Sequence, residues 1–256
     1  MARIFITGST DGIGLLTAKK LVADGHQVVL HARSQKRAAD AQAACPGAEA
    51  VLVGDLSNLA ETKALAAEAS SLGSGKFDCV IHNAGVYRGQ DNAVSKDTGF
   101  PRLFVVNTLA PYVLVALMPP PARLVFVSSS MHYGGRPRLD TMPRGVTYSD
   151  SKLHNVMLAK FFARKFGQET SASSVDPGWV PTKLGGRSAP DSIEDSVKTY
   201  EMAALGTGAA KTAANGAYFV NSREGSPQAM ASDEALQDAL VAKLAELSGV
   251  TLSEGK

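Results

Sequence analysis

The 256-residue sequence has only two cysteines, Cys45 and Cys79, and no long apolar run. Two cysteines do not build a disulfide framework, so we expect both thiols to be small buried hydrophobic groups. No stretch approaches the ~18 apolar residues of a membrane-spanning helix, which predicts no membrane span. The N-terminus enters a strand and a glycine turn without the apolar region of a signal peptide, so we predict a cytoplasmic protein.

Neither sign of charge predominates, since 26 Lys and Arg residues face 24 Asp and Glu residues, for a net charge of +2. No basic block exceeds the Lys36-Arg37 pair, which argues against a nucleic-acid partner. The absence of a Gly-x-Ser-x-Gly elbow argues against an α/β-hydrolase. The histidines stand singly, without cysteine or carboxylate at ligand spacing, so we expect no metal site. Of these, only His132 is a candidate to face a substrate, and a structural role is its ordinary alternative.

Short β-branched runs alternate with helical patterns along the chain. One helical pattern places Leu153, Val156, Met157 and Phe161 on a single apolar face. Strands separated by helices predict an α/β fold, and right-handed crossovers make it a doubly wound Rossmann fold with a parallel sheet of about seven strands flanked by helices. The predicted strands are Arg3 to Thr7, Gln27 to His31, Ala50 to Val53, Cys79 to His82, Arg123 to Val127, Ser173 to Val175 and Ala217 to Val220.

No repeat or low-complexity segment marks a boundary, so we predict a single Rossmann-type domain over residues 1–256. Residues 183–208 are irregular, with helical potential from Ile193 to Leu205, and we expect them to cover a substrate. Residues 232–248 predict a docking helix capped by Ser232. Its predicted apolar side consists of Leu236, Leu240, Leu244 and Leu247.

A glycine turn follows the first predicted strand and opens a helix. It reads Thr7-Gly8-Ser9-Thr10-Asp11-Gly12-Ile13-Gly14. Glycines at such a turn let backbone N–H groups approach a pyrophosphate at the positive end of a helix. Any tight β–α turn favours glycine, but this position between strand and helix favours a dinucleotide site.

The spacing Gly8-x3-Gly12-x-Gly14 resembles the short-chain dehydrogenase/reductase family, and further motifs of that family recur in order. They are Asp55-Leu56, Asn83-Ala84-Gly85, Asn107, Ser128-Ser129-Ser130, Tyr148-x3-Lys152 and Pro177-Gly178-x3-Thr182. The long interval between Ser129 and Tyr148, with an insertion at 134–146, and the Ser129-Ser130-Met131-His132 sequence resemble the retinol-dehydrogenase-like and WW-domain-oxidoreductase-like branch more closely.

The resemblance implies a nicotinamide cofactor, and the end of the second strand indicates which one. Family members that prefer NAD usually place an acidic residue at or near position 32, whereas this chain reads His31-Ala32-Arg33-Ser34. Arg33 offers a planar cation suited to a ribose 2′-phosphate, and Lys36 or Arg37 could add charge. We therefore predict NADP(H) over NAD(H), with a solvated basic loop as the alternative. The predicted cofactor-binding residues are Gly8, Ser9, Thr10, Asp11, Gly12, Ile13, Gly14, Arg33, Asp55, Leu56, Asn83, Ala84, Gly85, Tyr148, Lys152, Pro177, Gly178, Val180 and Thr182.

Tyr148 and Lys152 lie one helical turn apart, on the same face of a predicted helix. A neighbouring ammonium favours the phenolate, so we expect Lys152 to lower the pKa of Tyr148 from its usual value of about 10. By resemblance, Tyr148 is the general acid and base, and Lys152 also holds the nicotinamide ribose. Resemblance further implies that Asn107 orders a water that relays protons through Lys152.

Three consecutive serines follow the fifth predicted strand. Alternation along that strand separates Ser129 from Ser128 and Ser130, provided that the extended backbone continues so far. The resemblance selects Ser129 as the residue that steadies the substrate oxygen. The flanking serines have a ready role as backbone-bonding residues at the strand end.

Together these motifs predict an enzyme that transfers a hydride between NADP(H) and a small or lipophilic carbonyl or alcohol. A nicotinamide-sensing regulatory protein without turnover is the main alternative, although it has no need of the full catalytic set. A sugar-nucleotide epimerase is disfavoured because little chain follows Thr182. A homo-oligomer stays open, because Pro119-Pro120-Pro121 shortens the helix through which family members commonly pair.

Overall fold

The computed structural model describes residues 1–87, 89 and 93–252, which contain one eight-stranded sheet. The strand order is β3-β2-β1-β4-β5-β6-β7-β8; the first seven strands run parallel and β8 is antiparallel to β7. The strands are β1 (Arg3–Ile6), β2 (Gln27–Ala32), β3 (Ala50–Val53), β4 (Cys79–His82), β5 (Arg123–Val127), β6 (Ser171–Asp176), β7 (Tyr218–Val220) and β8 (Arg223–Gly225).

Helices cover both faces of this sheet, which confirms the predicted doubly wound α/β fold. Leu124 and Phe126 of β5 pack on one face with α3, α5, α6 and α8, whereas Val125 and Val127 pack on the other with α1, α2 and α7. A π-helical turn, Val105–Leu109, joins α4 to α5. The helices are α1 (Gly12–Ala23), α2 (Gln35–Ala44), α3 (Leu59–Ser71), α4 (Arg102–Phe104), α5 (Ala110–Leu117), α6 (Tyr148–Phe166), α7 (Ile193–Leu205) and α8 (Glu234–Ser248).

Two details at the C-terminal end differ from the sequence expectation. The eighth strand was not predicted because Arg-Glu-Gly carries no β-branched signal; a two-residue turn with positive φ at Asn221 and Ser222 creates it. The cap of α8 is Asp233, not Ser232, because the Asp233 carboxylate accepts the Leu236 N–H at 3.1 Å. Leu240 and Leu244 of this helix are fully buried.

The segment 183–208 divides into two parts. Its second half is α7, whose residues Met202, Ala203 and Ala204 are buried in the core on the face that also holds α1. Its first half is irregular and approaches the carboxyl edge of the sheet, where the turns after β1, β4, β5 and β6 also meet. Ligands of open α/β sheets bind at this edge.

Both cysteines are free and buried, as expected, and burial raises the pKa of the Cys79 thiol to about 12. None of the helices in the described part of the chain combines the length and the apolar character needed to cross a bilayer. Within the same residues, no three His, Cys, Asp or Glu side chains gather as a metal ion requires.

His82 gives the fold a pH dependence that can be measured. Its ring is buried and stacks on Phe126 at 4.8 Å, and neither ring nitrogen has a hydrogen-bond partner among the described residues. Burial lowers its pKa to about 3. Because an unfolded histidine titrates near 6.5, acidification below that pH favours the unfolded chain, by about 2 kcal/mol at pH 5 from this residue alone.

We therefore expect His82→Leu to shrink the difference in unfolding free energy between pH 8 and pH 5 by about 2 kcal/mol. Urea unfolding at the two pH values measures it. Phe126→Leu is the matched control, because it removes the stacking partner and leaves the titrating group in place. An unchanged pH difference in the His82 variant would show that the pKa of this ring is nearly the same in the folded and the unfolded chain.

Candidate active site

A cavity of about 780 Å³ opens at the carboxyl edge of the sheet and gathers most of the predicted site residues. Ser9 and Asn107 do not line it. Ser9 is buried beneath the glycine turn, where its hydroxyl donates to Ile6 O at 2.8 Å and accepts the His31 N–H. The predicted residues that line the cavity are Gly8, Thr10, Asp11, Gly12, Ile13, Gly14, Arg33, Asp55, Leu56, Asn83, Ala84, Gly85, Ser129, Tyr148, Lys152, Pro177, Gly178, Val180 and Thr182.

The glycine turn requires its glycines. Gly8 has φ +63°, and a Cβ there would meet Ala84 Cα at 2.8 Å. A Cβ on Gly14 would meet the carbonyl oxygen of Gly8 at 2.9 Å. Asn83 ties this turn to the end of β4, because its Nδ2 donates to the carbonyls of Thr7 and Gly8 at 2.9 and 3.0 Å. The turn is therefore rigid and leaves its backbone open to the cavity.

His31 also shapes this turn, and sequence reasoning did not assign it to the site. Its Nδ1 accepts the Gly8 N–H at 2.9 Å, and its Nε2 bonds Gly54 O at 2.8 Å. A ring that accepts at Nδ1 and donates at Nε2 is neutral. Burial lowers the pKa of His31 to about 4, which keeps it so. Nothing in the local sequence distinguishes this histidine from an ordinary strand residue.

The two arginines after β2, Arg33 and Arg37, differ in whether a carboxylate pairs with them. Arg37 donates to Thr10 Oγ1 at 2.8 Å and to Asp11 Oδ2 at 2.7 Å. Lys183 reaches the same Asp11 oxygen at 2.8 Å. Arg33 is exposed at the cavity and forms no ion pair with any described residue. Arg33, rather than Arg37, therefore has its positive charge uncompensated.

A capping box at the start of α6 fixes Tyr148 and Lys152. Thr147 and Asp150 bond each other's backbone N–H groups, and Tyr148 is the first residue of the helix. One turn later, Lys152 is 3% exposed, and its Nζ donates to Val127 O at 2.9 Å. Its Nζ lies 5.3 Å from the centre of the Tyr148 ring. Burial lowers the pKa of Lys152 to about 8, against the opposing effect of Asp176.

The pKa of Tyr148 differs from the expected direction. Burial raises it, Asp176 raises it further, and a hydrogen bond with Ser129 acts in the opposite direction. Desolvation of the phenol is the largest effect on its pKa. The Lys152 ammonium, which donates to the Val127 carbonyl, does not offset it. Tyr148 is therefore a protonated phenol at neutral pH.

The three serines take different positions. Ser128 is buried and donates to Lys152 O at 2.8 Å, as expected of a backbone-bonding residue. Ser129 lines the cavity with extended backbone (φ −170°, ψ 154°), so the alternation of β5 continues to it. Ser130 is exposed, lines the cavity and begins a 3₁₀ turn, Ser130–Gly134. Of the three, Ser129 is the one whose hydroxyl acts on the pKa of Tyr148.

Asn107 lies behind the cavity, in the π-helical turn. Its Oδ1 accepts the Val86 N–H at 2.8 Å, and its Nδ2 donates to Val86 O at 2.9 Å and to Ser151 Oγ at 3.1 Å. A Cβ on Gly85 would meet Lys152 Nζ at 3.5 Å and Asn107 Oδ1 at 3.6 Å. Asn107 and Lys152 are therefore both neighbours of Gly85.

Other residues of the site emerge only from the folded chain. Asp176 at the end of β6 accepts the Gly178 N–H at 2.8 Å and the Tyr218 hydroxyl at 3.1 Å. The Tyr87 ring packs on Tyr148 with centroids 4.3 Å apart. His132, a candidate to face substrate, is buried and does not line the cavity. The cavity rim also includes three exposed apolar side chains: Met131, Trp179 and Leu184.

Comparison with known sequences gives a consistent assignment. The family model for short chain dehydrogenase matches residues 2–192. An uncharacterized oxidoreductase of Emericella nidulans is 46% identical over 260 residues, covering both chains completely. Short-chain dehydrogenase chry4 of Gibberella zeae is 42% identical over 98% of this chain and 99% of its own. Human retinol dehydrogenase 11 is 31% identical over 71% of this chain and 62% of its own.

Solved structures share the fold. A protein from Mycobacterium Paratuberculosis superposes with a TM-score of 0.80 at 24% identity, over 99% of this chain and 95% of its own. A blue fluorescent protein from a metagenomic library, solved in complex with NADPH, gives 0.66 at 22% identity, over 86% of this chain and 95% of its own. The fold, the matching family model and the full-length relatives lead to one conclusion: the chain is an oxidoreductase of the short-chain dehydrogenase/reductase family, related to its retinol-dehydrogenase-like branch.

Proposed function

We propose that this protein is an NADP(H)-dependent oxidoreductase that transfers a hydride between the nicotinamide and a small or lipophilic carbonyl or alcohol. The observation that carries the proposal is the meeting of Ser129, Tyr148 and Lys152 with the glycine turn in one cavity. A protein that only senses nicotinamide has no need of a protonated phenol beside a serine hydroxyl. The proposal is therefore that this site catalyses a reaction and does not only bind the cofactor.

The cavity fits a dinucleotide phosphate. Gly8 and Gly12 have positive φ, and the turn between them leads into the N-terminus of α1, an arrangement that suits a pyrophosphate. Arg33 would bind the ribose 2′-phosphate, because, of the two arginines after β2 that line the cavity, it is the one without a carboxylate partner among the described residues. Lys152 would hold the nicotinamide ribose. The blue fluorescent protein of similar fold was solved in complex with NADPH, which supports NADP(H) as the cofactor of this chain.

The nicotinamide supplies the hydride in reduction and accepts it in oxidation. This chain's residues handle the proton and the developing charge. Tyr148 donates its phenolic proton to the substrate oxygen as that oxygen becomes an alkoxide, and the raised pKa keeps the proton available at neutral pH. The hydroxyl of Ser129 steadies the same oxygen. Lys152 supplies positive charge close to the Tyr148 ring.

The rim of the cavity supports a lipophilic substrate. Met131, Trp179 and Leu184 are 41%, 51% and 41% exposed there, although large apolar side chains are usually buried. The Trp179 indole is held by the segment 183–208, since its Nε1 donates to Gly185 O at 2.8 Å. We propose that residues 183–192, of which Lys183, Leu184 and Gly185 line the cavity, cover this part of it.

The experiment that tests the function is a screen of the purified chain with NADPH and, separately, NADH across aliphatic, aromatic and retinoid aldehydes and ketones. We expect loss of reduced-cofactor absorbance with at least one carbonyl class, and faster with NADPH. Tight NADPH binding with no turnover of any carbonyl, or of the matching alcohols with NADP⁺, would contradict the enzyme and favour the sensing protein.

The cofactor preference is tested at Arg33. A charge-assisted hydrogen bond contributes about 1.5–3 kcal/mol, or roughly ten- to a hundred-and-fifty-fold in affinity. We expect Arg33→Ala to weaken NADPH binding by such a factor and to leave NADH binding nearly unchanged, as measured by titration calorimetry. Lys36→Ala, which removes an exposed cation in the first turn of α2 that does not line the cavity, is the matched control. Equal losses for the two cofactors would overturn the assignment.

A further inference from the structure

We propose that His132 is a positioning residue, which sets the orientation of Ser129 by holding that residue's backbone carbonyl. The inference rests on the proposed function, since it concerns the serine assigned to the substrate oxygen. His132 itself is buried and lines no part of the cavity, so it acts only through its neighbours.

Two bonds from one residue hold the Ser129 carbonyl. The oxygen accepts the backbone N–H of His132 at 2.9 Å and lies 2.7 Å from Nδ1 of the same imidazole. A carbonyl oxygen only accepts, so Nδ1 must carry a proton. With its carbonyl fixed, Ser129 has little freedom in ψ. Its Oγ accepts the Met131 N–H of the same turn at 3.3 Å, and the residue lines the cavity.

The second ring nitrogen determines the charge of the imidazole. The backbone N–H of Gln228 donates to Nε2 of His132 at 3.1 Å, so Nε2 must have a free lone pair. A ring that donates at Nδ1 and accepts at Nε2 is the neutral Nδ1–H tautomer. A second proton on Nε2 would point at the Gln228 N–H and break this contact.

Gln228 links the 3₁₀ turn Ser130–Gly134 to the chain that follows β8. Its side-chain Nε2 donates to Tyr133 O at 2.7 Å and to Gly135 O at 3.1 Å, which lie at the end of the same 3₁₀ turn. Gln228 therefore binds the turn at three points, one of them through His132. The 3₁₀ turn that follows Ser129 is therefore fixed from outside the cavity.

The surroundings of the ring favour the neutral form. The His132 ring packs on Tyr133 at 4.1 Å and on Tyr218 of β7 at 5.0 Å. Asp176 of β6, whose carboxylate accepts the Tyr218 hydroxyl, is the charged group that acts on the ring. Burial lowers the pKa of His132, and the Ser129 carbonyl and Asp176 oppose this effect.

Two amide variants separate the ring's two bonds. An Asn side chain can place an N–H near the position of Nδ1, whereas the Gln amide reaches the position of Nε2. A misplacement of about 1 Å can cost roughly a hundredfold in rate, so we expect His132→Ala and His132→Gln to lower kcat by about ten- to a hundredfold with the KM for NADPH unchanged. His132→Asn should recover most of that loss. An Asn variant as slow as the Ala variant would overturn the inference.

A double-mutant cycle with Ser129→Ala tests whether His132 acts through the serine. We expect His132→Ala to have no further effect on kcat once the Ser129 hydroxyl is gone, since residues that act as a unit are not additive. Losses that multiply would show that His132 acts elsewhere. Circular dichroism and thermal unfolding of each variant identify any loss of folding.

The tautomer is measured without turnover, by NMR of the ¹⁵N-histidine-labelled chain. We expect His132 to show the Nδ1–H form at pH 7, with that proton lost from the spectrum of His132→Ala. An Nε2–H form or a protonated ring at pH 7 would overturn the inference. Failure of the proposed function appears differently, as a chain with this tautomer that reduces no carbonyl.

Discussion

Replacing Tyr148 by phenylalanine should remove nearly all turnover and leave the fold and NADPH binding intact. The raised pKa of the Tyr148 phenol keeps a proton on it at neutral pH. That proton is needed only as the substrate oxygen gains charge, so its loss lowers kcat rather than cofactor affinity. General acid catalysis contributes about 10²–10⁴-fold, and we expect a loss of this size in NADPH oxidation at saturating carbonyl.

Tyr133→Phe is the matched control for this variant. Its hydroxyl also makes a hydrogen bond, to Ser226 O at 2.6 Å, but the side chain is 52% exposed and does not line the cavity. The control should keep nearly wild-type turnover. A Tyr148 variant that keeps most of its activity would remove the phenol from the mechanism.

The second large effect is expected for Ser129→Ala. Loss of one hydrogen-bond donor to a developing oxyanion costs about 2.7–4 kcal/mol, a hundred- to a thousandfold in rate. Ser129 lines the same cavity as Tyr148 and acts on its pKa, on backbone that continues the alternation of β5. Turnover at saturating NADPH measures the loss, and circular dichroism checks the fold.

Ser128→Ala and Ser130→Ala are its two controls. Ser128 bonds the Lys152 carbonyl from a buried position, so its loss should lower stability more than turnover. Ser130 is exposed at the start of the 3₁₀ turn, and its variant should keep most of its activity. A collapse confined to either neighbour would place the functional hydroxyl one residue away from Ser129.

Much of the fold follows from local pattern. The runs at β1 to β5 were predicted within one residue because continuous β-branched stretches between helices mark a buried parallel strand. β8 carries no such signal, since it exists only because the turn at Asn221 and Ser222 folds residues 223–225 back along β7. The cap of α8 was misplaced by one residue, because Ser232 and Asp233 are both good capping types.

The candidate active site, like the fold, was predicted from the sequence only in part. Motif spacing indicated Ser129, Tyr148 and Lys152, and the fold gathers these residues at one cavity. The pKa of Tyr148 could not be predicted, because it depends on burial and on Asp176, which lies far from it in sequence. Likewise, the ring bonds of His31 join it to residues 23 positions away in each direction, so no local pattern could reveal them.

The most direct test of the proposed activity is whether a hydride passes from NADPH to a carbonyl on this protein. NADPH in which both hydrogens on the hydride-donating nicotinamide carbon are replaced by deuterium is incubated with the wild-type chain and a carbonyl from the screen, and the product is examined by mass spectrometry. The account predicts one deuterium on the former carbonyl carbon, and almost no labelled alcohol from Tyr148→Phe. An unlabelled alcohol, or labelled product formed equally by the Tyr148 variant, would contradict it.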